Sequence, residues 1–274
     1  MTKHLNKDTT ICMSLAARPS NFGTRFHNYL YDALDLDYLY KAFTTQDLKG
    51  AIGGVRALGI RGCAISMPFK EECIPMLDEL DASAKAINSV NTIVNSNGYL
   101  KAYNTDYIAI ATLLKQYKVP NDFTFALRGS GGMAKAVACA LKDAGFKQGF
   151  IVAKNEKTGT DLAKLYGFEW RKDMTDLKPD LLINATPIGM AGGEDADKLS
   201  FSEQQINSAQ VIFEVVALPA ETPLLKYAKS QNKAVITGSE VFAIQAVEQF
   251  VLYTGVRPND ELFQQAAKHA RQGA

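Results

Sequence analysis

The sequence predicts an α/β fold in two domains, and three observations predict it. Short apolar runs alternate with helix-length amphipathic stretches from one end of the chain to the other, the pattern of strands covered by helices. Near the middle, an apolar run at 123–127 leads into the glycine-rich turn Gly129-Ser130-Gly131-Gly132 and then into a helical stretch. There the pattern starts afresh. A length of 274 residues suits one large domain or two compact ones, and apolar residues at 47% can fill a sizeable core.

The elements follow in order. Strands are expected over 10–15, 37–43 and 61–66, with helices over 22–34 and 45–57 between them and Thr44 or Thr45 as the N-cap of the second. Strands over 87–94 and 99–103 flank Asn95-Ser96-Asn97-Gly98, a hairpin-turn composition. A helix over 106–117 is stopped by Pro120. The second unit supplies a strand over 123–127, a helix over 133–144 ending at Gly145, a strand over 150–153 and a helix over 160–166. Strands over 181–185 and 211–216, two further segments over 224–230 and 234–236, and helices over 241–253 and 261–270 close the chain. The expected domains are 1–105 with 238–274, and 106–237.

Charge and composition exclude several classes of function. Thirty Lys and Arg against twenty-nine Asp and Glu leave a formal charge of +1, which argues against a nucleic-acid backbone binder or an anionic-membrane surface protein. Cys12, Cys63, Cys73 and Cys139 form no Cys-x-x-Cys pair, and His4, His27 and His269 have no metal spacing, so neither a metal site nor a disulfide framework is expected. The stretch 11–17, after Lys3 and Lys7, alternates like a strand and is not read as a signal peptide. No apolar run reaches membrane-spanning length. A reduced, cytoplasmic protein with a small-molecule partner, as monomer or homodimer, is expected.

The run Gly129-Ser130-Gly131-Gly132-Met133-Ala134 fits Gly-x-Gly-x-x-Gly/Ala. Glycines there let the backbone turn tightly and approach a pyrophosphate, while the helix N-terminus presents unpaired N–H groups to the anion. Because the run follows a strand and opens a helix, it predicts dinucleotide binding. The chemistry at the end of the next strand selects the cofactor: an acid suits the ribose 2′-hydroxyl of NAD, a base the 2′-phosphate of NADP. Here Ala153-Lys154-Asn155-Glu156-Lys157-Thr158 sets two lysines in favour of a phosphate against Glu156. NADP is expected, with NAD possible.

Three polar features sit where strands of the first unit end. These are Ser66-Met67-Pro68-Phe69-Lys70, Asn88-Ser89-Val90-Asn91-Thr92 and Asn104-Thr105-Asp106. Each alone has a structural explanation: Lys70 a solvated loop lysine, Asn91 a turn former, Asp106 an N-cap. A functional reading requires them to converge.

These residues and the glycine turn carry a resemblance over essentially the whole chain. Ser66 to Lys70, Ser89 to Thr92, Asn104 to Asp106, Gly129 to Met133 and Asn184-Ala185-Thr186-Pro187-Ile188-Gly189-Met190 occur in the order found in the shikimate dehydrogenases. Thr222-Pro223-Leu224-Leu225 and the stretch from Gly238 to Gln245 follow in that same order. The chain thus resembles that family. The resemblance implies an N-terminal α/β substrate domain, a Rossmann-type dinucleotide-binding domain and an active site in the cleft between them. It implies reversible nicotinamide-dependent reduction of 3-dehydroshikimate to shikimate, with Lys70 and Asp106 as the catalytic pair. Substrate would be held by Ser66, Asn91, Asp106 and Gln245. The pyrophosphate would be held by Gly129, Ser130, Gly131, Gly132 and Met133, and the rest of the cofactor by Asn155, Lys157, Thr186, Val215 and Gly238.

The chain departs from the family at three places. Before His27 the two family serines fall on Asn21 and Gly23, so the resemblance makes Asn21 the expected carboxylate contact, with Arg18 and Arg25 nearby. Ala217 replaces a family tyrosine, and Asn155-Glu156-Lys157 stands where the family has Asn-Arg-Thr, leaving Lys157 as the expected phosphate contact. A hydrogen bond to a charged group contributes about 1.5–3 kcal/mol, so a slower, divergent enzyme is expected. A quinate or other cyclic hydroxy-acid dehydrogenase, and a non-catalytic dinucleotide sensor on the same fold, are the alternatives.

Overall fold

A computed structural model describes residues 5–272; His4 and Lys3 lie outside them. The chain forms two compact units, one reaching to Thr105 and resuming at Gln245, the other spanning Asp106–Ile244. The return was expected at residue 238, but Gly238 opens a continuous helix, Gly238–Thr254, and the division falls inside it.

The first unit holds β1 (Thr10–Leu15), α1 (Phe22–Ala33), β2 (Tyr38–Phe43), α2 (Leu48–Ala57), β3 (Gly62–Ile65), α3 (Phe69–Glu72), β4 (Glu79–Leu80), α4 (Ala82–Ile87), β5 (Thr92–Ser96) and β6 (Tyr99–Tyr103). Its six-stranded sheet runs β2-β1-β3-β5-β6-β4. The three leading strands are parallel, whereas β5 runs antiparallel to both β3 and β6. Helix α1 buries Phe22, Phe26 and Leu30, one turn apart, as its core stripe. His27, on the same helix, is fully buried and stacks on Tyr40 with ring centroids 4.3 Å apart. Burial pushes its imidazole down to about 3, so it is neutral.

The second unit follows with α5 (Thr105–Gln116), β7 (Phe125–Arg128), α6 (Gly132–Asp143), β8 (Gly149–Val152), α7 (Glu156–Tyr166), β9 (Glu169–Arg171), β10 (Leu181–Asn184), α8 (Glu203–Ser208), β11 (Val211–Glu214), α9 (Pro223–Ser230), β12 (Ala234–Ile236) and the start of α10 (Gly238–Thr254). Its strands lie in the order β12-β11-β10-β7-β8-β9, all parallel. This is the Rossmann-type winding, in which the order reverses beside the first strand. Ala126, Val152, Leu182, Ile212 and Phe201 fill the core under α8 and α9. Helix α11 (Asp260–Arg271) completes the first unit, where the Arg25 guanidinium donates to the His269 carbonyl at 3.1 and 3.3 Å.

Several local expectations need correction. Helix α2 is capped by Asp47, whose Oδ1 accepts from Gly50 N at 2.8 Å, not by Thr44 or Thr45; the Thr45 hydroxyl instead accepts from Asp47 N. The expected strand over 87–94 is two elements. Asp81 caps α4, Asn88 ends it in the left-handed region at φ 50°, and β5 begins only at Thr92. Helix α7 starts at Glu156 rather than 160, because Asn155 caps it by accepting from Thr158 N at 3.1 Å. The hairpin turn is as its composition predicts, with Asn97 and Gly98 both at positive φ.

Gly149 sits opposite Phe125 in the β7–β8 pair, and a Cβ there would lie 2.1 Å from the Phe125 ring. That ring is wedged edge-on between Phe146 and Phe168, with centroids 5.9 and 4.8 Å away. Gly149→Ala is therefore expected to destabilise the protein by about 1–3 kcal/mol, measured as a lowered midpoint in urea unfolding.

Candidate functional site

In the first unit, strand direction brings three loops to one edge of the sheet. The C-terminal ends of β3 and β6 lie beside the N-terminal end of the reversed β5, with Ala64 opposite Thr92 and Thr92 opposite Tyr103. Asn91 sits at the centre, fully buried. Its carbonyl accepts from Ile65 N at 2.8 Å, and its N–H donates to the Tyr103 carbonyl at 3.1 Å. The side-chain Oδ1 accepts from Thr105 N and from the Thr92 hydroxyl, both at 2.8 Å, while Nδ2 donates to Thr105 Oγ1 at 3.0 Å.

Neighbouring residues are tied into the same edge. Val90 N donates to the Lys70 carbonyl at 2.8 Å, which holds the short helix α3 against the start of β5. Asn104 Nδ2 donates to the Ser89 carbonyl at 2.8 Å. Ser66, directly after β3, is exposed; Lys70 is half-buried. Asp106 follows Thr105 in the first turn of α5 and is buried, so it is not the N-cap that the sequence allowed.

Helix α10 adds a residue that the sequence reading missed. Gln249, buried, donates from Nε2 to the Asn91 carbonyl at 3.2 Å. Gln245, the expected contact, lies one turn earlier on the same helix. Helical spacing from Gln245 could have suggested Gln249, but its partner is 158 positions away in sequence. Asn21 stands at the N-cap of α1, exposed, and its side chain makes no capping bond. Arg25, a nearby cation in the sequence, is engaged with the α11 carbonyl described above.

In the second unit, the glycine turn has the form its motif demands. Gly129 has φ +123°, and a Cβ there would meet the Ala185 carbonyl oxygen at 2.8 Å. Gly131 begins α6 with no side-chain cap, and a Cβ there would meet nothing within 4 Å. Gly132 and Met133 form the first turn of α6, where backbone N–H groups lack helical partners. Ser130 Oγ lies 2.8 Å from Thr158 Oγ1, joining this turn to the start of α7.

Beside the turn is a cavity of about 330 Å³ lined by Gly129, Ser130, Asn155 and Thr186 and by three cations, Arg128, Lys154 and Lys172. Its volume is in the range of small-molecule sites. Lys157 does not line it. The sequence reading missed Arg128 and Lys172; the position of Arg128 at the strand end, directly before Gly129, was the available signal for the first. A larger cavity of about 550 Å³, at Lys115, Asn121 and Asp143, lies at the far end of α6 from the glycine turn.

The loops after β10 and β11 are held by a buried polar knot. Glu214 Oε1 accepts from Asn184 Nδ2 and from Val216 N, each at 2.9 Å, and Oε2 accepts from the Thr222 hydroxyl at 3.0 Å. Asn184 Oδ1 in turn accepts from the Thr186 hydroxyl at 2.6 Å and from Thr186 N at 3.1 Å. Val215 N donates to the Asn184 carbonyl at 3.0 Å. At Gly238 a Cβ would lie 2.2 Å from the Val216 carbonyl oxygen, so the start of α10 packs directly on that loop. Burial outweighs these three donors and pushes the Glu214 carboxyl up to about 7.

Fold and turn define a two-unit α/β protein with a Rossmann-type nucleotide-binding sheet. Residues 22–93 match the family described as the shikimate dehydrogenase substrate binding domain. A shikimate dehydrogenase-like protein of Haemophilus influenzae is 57% identical over 267 residues, covering 97% of this chain and 98% of its own. A shikimate dehydrogenase (NADP(+)) of Methanosphaera stadtmanae is 31% identical, covering 92% and 94%. The solved structure of shikimate 5-dehydrogenase from Thermus thermophilus, in complex with NADP(H) and shikimate, superposes with a TM-score of 0.86 at 27% identity, covering 95% of this chain and 99% of the other. The chain belongs to the shikimate dehydrogenase family of oxidoreductases.

The raised Glu214 carboxyl gives stability a pH dependence of known sign. Below its ordinary value of 4.5 the group is protonated in both folded and unfolded chains; from there to about 7 only the unfolded chain ionises. Stability therefore falls as pH rises through that window, by an amount on the order of 3 kcal/mol. Glu214→Gln is expected to flatten the slope, measured as urea midpoints at pH 5 and pH 8 beside the unsubstituted protein.

Proposed function

We propose that the chain catalyses the reversible, NADP-dependent interconversion of shikimate and 3-dehydroshikimate. One observation carries this reading. Asn91 gathers the ends of β3 and β6 and the start of β5 by hydrogen bonds, so that Ser66, Lys70, Asn91 and Thr105–Asp106 belong to one sheet edge. The Thermus relative, whose complex contains NADP(H) and shikimate, and the NADP(+) relative from Methanosphaera support the choice of substrate and cofactor.

The second unit fits a dinucleotide. Gly129 leaves a cradle that a Cβ would close against the Ala185 carbonyl. Arg128, beside it, has a buried Nε with no hydrogen-bond partner among the described residues. Gly129, Ser130, Gly131, Gly132 and Met133 would hold the pyrophosphate on the N-terminal turn of α6. Thr186, Asn155, Val215 and Gly238 would line the remaining length. A bound nicotinamide would supply the two-electron acceptor for the carbinol carbon.

The protein's own residues do the rest. As a neutral amine Lys70 takes the proton of the reacting hydroxyl in oxidation, and as an ammonium it returns that proton to the carbonyl oxygen in reduction, while Asp106 orients the hydroxyl by accepting from it. With one Nδ2 hydrogen given to Thr105 Oγ1, the other amide hydrogen of Asn91 donates to a ring hydroxyl. Gln245 holds a second hydroxyl. Ser66 and Asn21 bind toward the carboxylate end, Asn21 in place of the family's first serine.

Lys70→Ala is expected to lower kcat about 10²–10⁴-fold with a smaller change in KM for shikimate. Steady-state nicotinamide absorbance, with shikimate and quinate each crossed with NADP and NAD, measures this. Unchanged turnover would remove Lys70 from the mechanism. A preference for quinate would move the substrate assignment while keeping the proton relay.

A further inference from the structure

The strand register places positive charge at the adenosine end of the dinucleotide site, away from the residue the sequence favoured. Arg128 closes β7 and pairs with Val152 of β8, which pairs in turn with Arg171 of β9. The chain positions that follow these partners therefore lie side by side on the carboxyl edge of the sheet. Lys154 lies two residues beyond Val152, and Lys172 directly follows Arg171. Both line the cavity of about 330 Å³ that Arg128, Gly129 and Ser130 also line.

Arg128 is the best placed of the three. Its guanidinium carbon lies 5.2 Å from the centroid of the buried Phe201 ring, and its Nε is buried with no hydrogen-bond partner among the described residues. One acid, Asp195, is among the residues lining the cavity, and it is paired with Lys198 Nζ at 2.6 Å. Lys157 belongs to the first turn of α7, is exposed, and does not line the cavity.

In a Rossmann-type unit the adenosine ribose rests against the end of the second strand, which here is Val152 with Ala153 to Asn155. A phosphate on the 2′-oxygen needs several donors, and a planar guanidinium presents two at once where a lysine is a point charge. We propose that Arg128, with Lys154 and Lys172, binds the 2′-phosphate of the dinucleotide in place of Lys157 and so sets the preference for NADP over NAD. The proposal rests on the dinucleotide reading given above and deepens it. It makes selectivity the work of three strand ends instead of the loop after β8 alone.

Calorimetric titration of the whole protein with NADP+ and with NAD+, without substrate, tests it. Arg128→Met is expected to weaken NADP+ about tenfold or more while NAD+ changes by less than about threefold. Lys172→Met is expected to shift the same ratio in the same direction by less, and Lys157→Met to leave both affinities unchanged. Equal weakening of both dinucleotides by Arg128→Met, or loss of the NADP+ preference in Lys157→Met, would overturn the proposal and leave the dinucleotide reading intact. An unsubstituted protein that binds neither dinucleotide would overturn both. Circular dichroism checks that each variant folds; if Arg128→Met does not, Arg128→Lys with Lys172→Met carries the comparison, and an unchanged NADP+/NAD+ ratio in both overturns the assignment.

Discussion

Parallel strands cannot be joined by a tight hairpin, and this constraint arranges almost everything else in the protein. Each parallel strand of the second unit must return through a helix or a long loop, so the carboxyl ends of β7, β8, β9, β10 and β11 share one edge. The glycine turn, Lys154, Lys172, Thr186 and Val215 are all consequences of that alignment. The first unit reaches a similar result by a different route. Its strand β5 is reversed, so the start of β5 meets the ends of β3 and β6.

Both edges are then fixed by a buried asparagine at a strand terminus. Asn91 precedes β5 and Asn184 ends β10, and each is inaccessible to solvent. In each case Oδ1 gathers a backbone N–H and a threonine hydroxyl: Thr105 N and the Thr92 hydroxyl for Asn91, Thr186 N and the Thr186 hydroxyl for Asn184. An amide buried without partners would be strongly destabilising, so these bonds are close to obligatory once the residues are enclosed. They convert loops that would otherwise be adaptable into fixed positions for the side chains around them. Glu214 extends the second knot, accepting three hydrogen bonds while its burial favours the protonated form.

Much of this was legible in the sequence because the strongest signals are local. The alternation at Thr10–Leu15, the turn at Asn97-Gly98 and the strand–glycine–helix run from Phe125 to Asp143 each carry their own evidence. What escaped was either too short or too distant. A two-residue strand at Glu79–Leu80 cannot display a period, and Glu169–Arg171 is scarcely longer. The apolar pattern from Ile87 to Val94 looked continuous, yet Asn88 in the left-handed region breaks it. Lys172 was invisible for a related reason: without β9 there was no strand for it to end. Gln249 could be seen as helical but not as the partner of Asn91, because no local pattern encodes that contact. Which cations line the cavity beside the glycine turn was not legible either: Arg128 and Lys172 do, and Lys157 does not.

In the proposed reaction the hydrogen of a shikimate carbinol carbon passes to a nicotinamide while Lys70 handles the hydroxyl proton. Incubation with NADP+ and shikimate carrying deuterium at the reacting carbinol carbon tests it directly, with the reduced cofactor examined by mass spectrometry. The account predicts one deuterium in the reduced nicotinamide and none released to water. Shikimate recovered with its label intact despite bound NADP+, or label appearing in the solvent, would contradict it.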